Sequence, residues 1–175
     1  MPITPDDKDW TWVLERACPE CGFVAAAFPR EDVGAMVREN AAFWPRVLER
    51  ADVARRPSDD SWSPLEYACH VRDVFRIYDM RLERMLTEDD PLYPNWDQDV
   101  TAVDNRYNEQ DPRRVASELA EAAAAIADRF DTVQGNRWER TGRRSDGKHF
   151  TVETFARYMI HDPIHHLHDV GATAT

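Results

Sequence analysis

The sequence predicts an all-α protein, a four-helix bundle with one long crossover connection. Three features predict it. Four stretches carry apolar residues at helical spacing, helix-capping residues stand before several of them, and a long acidic segment joins the second stretch to the third. With 175 residues, 42% of them hydrophobic, one domain with a substantial core is the natural organisation. Residues 1–28 are expected to form an irregular arm that packs on the domain through Trp10, Trp12 and Phe23, and residues 29–175 the bundle.

The first helix is expected from about Arg30 to Arg50, with Val33, Val37, Ala41, Trp44 and Leu48 on one face. Pro45 should bend or interrupt its last turn, because a proline inside a helix removes a backbone donor. The second has the clearest start: Ser63 as N-cap, Pro64 at the first helical position and Glu66 closing a capping box. Trp62 and Tyr67 flank that cap as a hydrophobic staple, and the apolar pattern runs on to about Leu86. The segment from Thr87 to Gln110 carries Pro91 and Pro94 and is too long for a tight turn, hence the crossover. Asp111 and Pro112 open the third helix, whose stripe of Val115, Leu119, Ala122, Ile126 and Phe130 should stop near Gly135. Trp138 to Phe150 contains Ser145-Asp146-Gly147, which suits a short hairpin. The fourth helix should start at Thr151, with Phe150 and Phe155 as a second staple, and reach about Asp169 before Gly171.

Charge and composition exclude several functions. With 22 Lys+Arg against 33 Asp+Glu the net charge is −11, which argues against a nucleic-acid partner. The longest apolar runs, Phe23–Phe28 and Ala122–Ala127, are six residues each, and a membrane span needs about 20. Asp6, Asp7 and Asp9 occupy the place where a signal peptide needs positive charge, and three cysteines do not make a secreted disulfide framework. A cytoplasmic location is therefore expected, with neither nucleic acid nor membrane as partner.

Chemistry concentrates in the histidines. Four of the six lie in the run His161-Asp-Pro-Ile-His165-His166-Leu-His168-Asp169. His161 and His165 are one turn apart on a helix, so both imidazoles can reach one ion; the alternative is a solvated polar face. His168 lies near that stripe but about 10 Å from His161 along the axis, so it joins His165 or sits beyond the site. His166 points away from His161 and is expected on the surface or behind the ligands. A third ligand is needed, and His70, in the middle of the second helix, is the best candidate; the bland reading of a lone histidine there is a core residue bonded to a carbonyl. Asp162, Asp169, Asp73 and Glu66 lie within about a turn of a histidine and can fix imidazole tautomers. Asp169 is also an alternative ligand, and Glu66 has its ordinary task in the capping box. Pro163, between the two candidate ligands, should kink the helix at the metal or stand as a tolerated irregularity.

The order Trp-Ser-x-x-Glu-x-x-x-His-x-x-Asp at the head of one long helix, then His-x-x-x-His on the last helix, resembles the DinB/YfiT-like superfamily from about Arg30 to Val170. The resemblance implies a four-helix domain holding a divalent metal, Zn or Ni, through three histidines that map onto His70, His161 and His165; by their spacing Asp162, Asp169 and His168 are expected behind them. It also implies a metal-dependent, thiol S-transferase-like enzyme acting in detoxification, with a small-molecule thiol, mycothiol among the candidates, and an electrophilic substrate as partners. A metal-dependent hydrolase and a non-catalytic metal-binding or stress-response module are the alternatives. A homodimer fits the resemblance, and the further C-terminal domain of the family's mycothiol-dependent isomerase is not expected here.

Cys18-Pro-Glu-Cys21-Gly22 has the shape of a zinc knuckle, yet structural zinc takes four protein ligands and there is no second Cys-x-x-Cys. Reduced buried thiols, a redox pair and half of a metal site remain open for it, and it is expected to stand apart from the three-histidine site. The six tryptophans read as core, with Trp96 the one that can line a substrate mouth, and Arg143-Arg144 as a solvated hairpin feature near enough to meet an anionic substrate.

Overall fold

The structure is a computed structural model and describes residues 9–172. The outer ends of the expected arm and bundle, residues 1–8 and 173–175, lie outside the described residues, and Asp6 and Asp7 with them. Four long helices make the bundle: α1 (Val33–Leu48), α2 (Pro64–Thr87), α4 (Pro112–Asp131) and α5 (Val152–Asp169). The connection after α2 holds a two-residue strand β1 (Leu92–Tyr93) and a short helix α3 (Gln98–Asp104), and strands β2 (Thr141–Arg144) and β3 (His149–Thr151) precede α5. α4 packs along both α1 and α2, and α5 lies against the same two helices.

The ends of these helices obey local chemistry. Ser63 Oγ accepts from the Glu66 N–H at 3.3 Å while the Glu66 carboxylate accepts from the Ser63 N–H at 2.9 Å, a complete capping box. Trp62 and Tyr67 meet edge to face at 5.5 Å, closing the staple. Asp111 caps α4 through the Arg114 N–H at 2.9 Å. α5 opens on Thr151 with a Thr154 capping box, and Phe150 and Phe155 meet at 6.3 Å. Its far end is a Schellman motif: Gly171, at φ +62°, and Ala172 return their N–H groups to His168 and Leu167, both at 2.9 Å.

Three local expectations change. α1 runs through Pro45 to Leu48 without interruption, and the Glu49 N–H closes on the Pro45 carbonyl at 3.1 Å. α4 stops at Asp131 rather than near Gly135, which instead opens a 3-10 turn at φ +55°. The long connection is partly ordered by β-pairing: β1 runs parallel to β2, and β2 antiparallel to β3 with Gly142 opposite Phe150. The hairpin presses on α2 so closely that a Cβ at position 142 would lie 2.7 Å from Met85 Cγ.

The core is aromatic, with Trp44, Trp138, Tyr93, Tyr107, Phe75 and Phe155 fully buried. Val13, Cys18 and Phe23 of the preceding segment are buried with it, and a 3-10 turn, Trp10–Leu14, lies against α5. Arg157 on α5 donates to the Phe28 carbonyl at 3.1 Å and also to that of Ala25. Across the bundle Asn40 on α1 donates to the Pro163 carbonyl at 2.8 Å and accepts from Trp44 Nε1. α5 thus continues through Pro163 as one helix, tied at that point to α1.

Glu66 is buried and also takes the Arg56 guanidinium at 2.9 Å. Burial raises its carboxyl pKa, but the Arg56 pair and the Ser63 bonds outweigh that and leave it below its ordinary 4.5. A depressed folded-state pKa gives stability that is present above the unfolded value and lost as pH falls through the folded one. Glu66→Gln should therefore cost about 1–3 kcal/mol at neutral pH by urea unfolding. The gap to wild type should shrink once pH falls below about 4.5.

Candidate metal centre

Residues four apart on a helix project from one face, so the run from His161 to His166 offers two pairs displaced by about 100°: His161 with His165, and Asp162 with His166. Each pair meets a different partner. The donor atoms of His70, Asp162 and His166 lie within 4.8 Å of one another, and those of Cys18, Cys21, His161 and His165 form a second such group. The expected set of His70, His161 and His165 is thereby divided. His70 faces the Asp162/His166 side of α5, its Nε2 lying 3.2 and 3.3 Å from the two Asp162 oxygens, and His161 and His165 face the arm.

His70 comes from the second turn of α2 and is fully buried. Trp96 stacks flat on its ring, at 5.3 Å and 7° between planes, and Trp62 packs against it at 5.2 Å. His166, expected behind the ligands, belongs to this group: its ring meets His70 edge-on at 4.9 Å and its Nε2 lies 3.6 Å from Asp162 Oδ1. Its Nδ1 is bonded to Asp169 Oδ2 at 2.9 Å, which directs Nε2 toward Asp162. Asp162, expected as a supporting residue, is a donor of the group. Burial works against its charge, but the His70 and His166 imidazoles hold it well below the usual carboxylate range. Asp169 lies outside both donor groups, bonded to His166 and 3.7 Å from His165 Nε2.

The remaining candidates fall elsewhere. His168 is exposed, with its Nδ1 3.8 Å from Asp169 Oδ1 and its ring 6.2 Å from that of His165. Asp73 accepts from Tyr107 Oη at 2.5 Å and pairs with Arg72, which places it in a core network instead of beside a histidine. Cys69 is buried, with its thiol 3.8 Å from the Tyr107 carbonyl. The expected separation of Cys18 and Cys21 from the histidine site does not hold: Cys18 Sγ lies 3.6 Å from His165 Nδ1. Burial raises the Cys21 thiol to about 11, and burial followed by the neighbouring His165 pulls His161 down to about 4, so that imidazole is neutral at physiological pH. Treating aspartate as a donor equal to histidine would have revealed the Asp162/His166 pair in the sequence. The approach of the cysteines depends on how the arm folds and had no such signal.

Both groups border one cleft of about 410 Å³. Trp96 and Tyr67 line it near His166 and Asp162, and Arg81, Arg144, Tyr78 and Tyr158 line it elsewhere. Arg144 stays largely buried beside Tyr158 and Asp146, whose carboxylate outweighs the opposing effect of burial and keeps the guanidinium charged. Two imidazoles and a carboxylate, oriented by a further carboxylate and opening on a cleft, fit a divalent cation with positions left for other ligands.

A four-helix bundle carrying such a donor set at a cleft defines a helical protein with a candidate metal site. The chain belongs to the DinB superfamily, whose family model matches residues 34–170. Its fold is similar to that of YfiT from Bacillus subtilis, described as "a probable metal-dependent hydrolase with an unusual four-helix bundle topology". The TM-score is 0.63 at 18% identity, over 95% of this chain and 89% of that one. No curated protein matches the chain. Among the described residues no helix is long and apolar enough to cross a membrane.

Asp162→Asn and His70→Ala should each lower the bound divalent metal of untagged protein by about one equivalent in elemental analysis, and His168→Ala should not. Asp169→Asn, which removes the support of His166, should weaken metal affinity about 10–100-fold in a competitive chelator titration.

Proposed function

We propose that the protein is a metal-dependent enzyme that joins a low-molecular-weight thiol to an electrophile, with His70, Asp162 and His166 holding the ion. The observation that carries this reading is that Asp162 and His166, grouped with the buried His70, line the 410 Å³ cleft, where substrate can approach them. Imidazole and carboxylate donors suit Zn or Ni. Such an ion supplies a Lewis acid that lowers the pKa of a thiol or water molecule.

The chain's own residues do the rest. Asp162 would offset the cation's charge, its oxygens lying 3.2 and 3.3 Å from His70 Nε2. Trp96, stacked on His70, holds the imidazole against rotation and presents an apolar wall to the cleft. Asp169 accepts the Nδ1–H of His166 and so leaves Nε2 as the donor. Arg81 and Arg144 also line the cleft and can meet an anionic group on the thiol or the electrophile. Mycothiol is the candidate thiol and detoxification the setting.

A second reading, hydrolysis with water in place of the thiol, is favoured by the likeness in fold to YfiT and its description as a probable hydrolase. The two readings separate in one assay. Zinc- or nickel-loaded protein, mycothiol or cysteine, and a chromogenic aryl halide should give S-adduct at a rate that needs both metal and thiol. His70→Ala should reduce that rate to the uncatalysed one. Turnover of activated esters with no thiol present, lost in the same variant, would establish hydrolysis instead.

A further inference from the structure

We propose that Cys18, Cys21, His161 and His165 form a second metal site, a closed tetrahedral Cys2His2 zinc centre that fastens the N-terminal arm to α5. Four donor atoms of the right kinds lie within 4.8 Å of one another, and Cys18, His161 and His165 are buried. Zinc bonds of about 2.3 Å to sulfur and 2.0–2.1 Å to nitrogen put tetrahedral ligand atoms roughly 3.3–3.8 Å apart. The 3.6 Å between Cys18 Sγ and His165 Nδ1 is such an edge.

An independent sign comes from the imidazoles. His161 Nε2 is buried with no hydrogen-bond partner, and the residue is only 4% exposed. An unsatisfied polar nitrogen in the interior costs about 1–3 kcal/mol unless something binds it. The outer nitrogen of His165 faces the carboxylates of Glu20, at 3.4 Å, and Asp169, at 3.7 Å, which directs Nδ1 toward the sulfur.

The arm is shaped for the task. Cys18 N–H donates to the Phe23 carbonyl at 2.8 Å and Gly22 N–H to the Cys18 carbonyl at 2.9 Å, and Gly22 takes φ +75°, a turn that brings both thiols to one side. Trp10 and Phe23 close over the histidines, with ring centroids 5.2–5.6 Å away. Binding replaces the two thiol protons, which pass to solvent, and Zn²⁺ with two thiolates and two neutral imidazoles carries no net charge, which suits a buried position. All four positions are protein-filled, as in structural rather than catalytic zinc. This site stands on its own donors and does not need the proposed activity of the other.

The test uses the full-length untagged chain reconstituted with Co²⁺ in place of Zn²⁺. The expected result is a thiolate-to-cobalt charge-transfer band with the intense visible bands of tetrahedral cobalt. Both should be retained in His70→Ala and lost in Cys21→Ser, and zinc content should fall by about one equivalent in the latter. If Cys21→Ser does not fold, wild-type protein decides alone, since its two arm thiols should resist a thiol reagent until a chelator is added. A cobalt spectrum without thiolate bands, arm thiols that react at once in metal-loaded protein, or a Cys18–Cys21 disulfide in metal-replete protein would overturn the proposal.

Discussion

The site depends on one geometric fact about α5: side chains one turn apart share a face, and a shift of a single residue turns that face by about 100°. His161 and His165 look toward the arm, and Asp162 and His166 toward α2. One helix thereby serves two separate groups of donors, and the neighbours on each side decide what those groups become. On the α2 side a single histidine arrives and leaves room toward the cleft. On the arm side two cysteines arrive and complete the set.

Asp169 stands where the two groups meet. One oxygen is bonded to His166 and the other lies 3.7 Å from His165, so one carboxylate bears on both imidazoles. Burial opposes its charge, but His166 and His165 outweigh that and hold its carboxyl below the ordinary value. The helix that carries this arrangement is held by contacts that do not use the donor atoms. These are the Schellman motif at Gly171, the Asn40 bond to the Pro163 carbonyl, and the Arg157 bonds to the arm carbonyls. They keep the ends, the middle and the first turns of α5 in register, which ligand geometry requires, since donors misplaced by an ångström no longer share an ion.

Much of the fold was legible in the sequence because capping and periodicity are local. Ser63, Glu66, Asp111 and Thr151 each act on N–H groups within three residues, so the helix starts follow from neighbouring letters alone. The stop of α4 was less clear, since Gly135 belongs to the next turn and not to the helix end. Strand β1 was not foreseen, because two residues show no periodicity and pair only with the distant β2. Of the site, the histidines of α5 and His70 stood out as residue types. Their grouping did not, because it depends on the rotation of α5 against α2 and on a carboxylate that looked auxiliary. The Cys-x-x-Cys turn was recognised as a knuckle, but its missing partners lie 140 residues or more away along the chain.

The division of the histidines between two centres is the claim on which the chemistry rests. Anomalous diffraction at the zinc edge from crystals of untagged, zinc-replete protein tests it most directly. Two peaks are predicted, one enclosed by His70, Asp162 and His166 and the other by Cys18, Cys21, His161 and His165. A single peak shared by His70, His161 and His165, with the cysteines and Asp162 turned away, would contradict it.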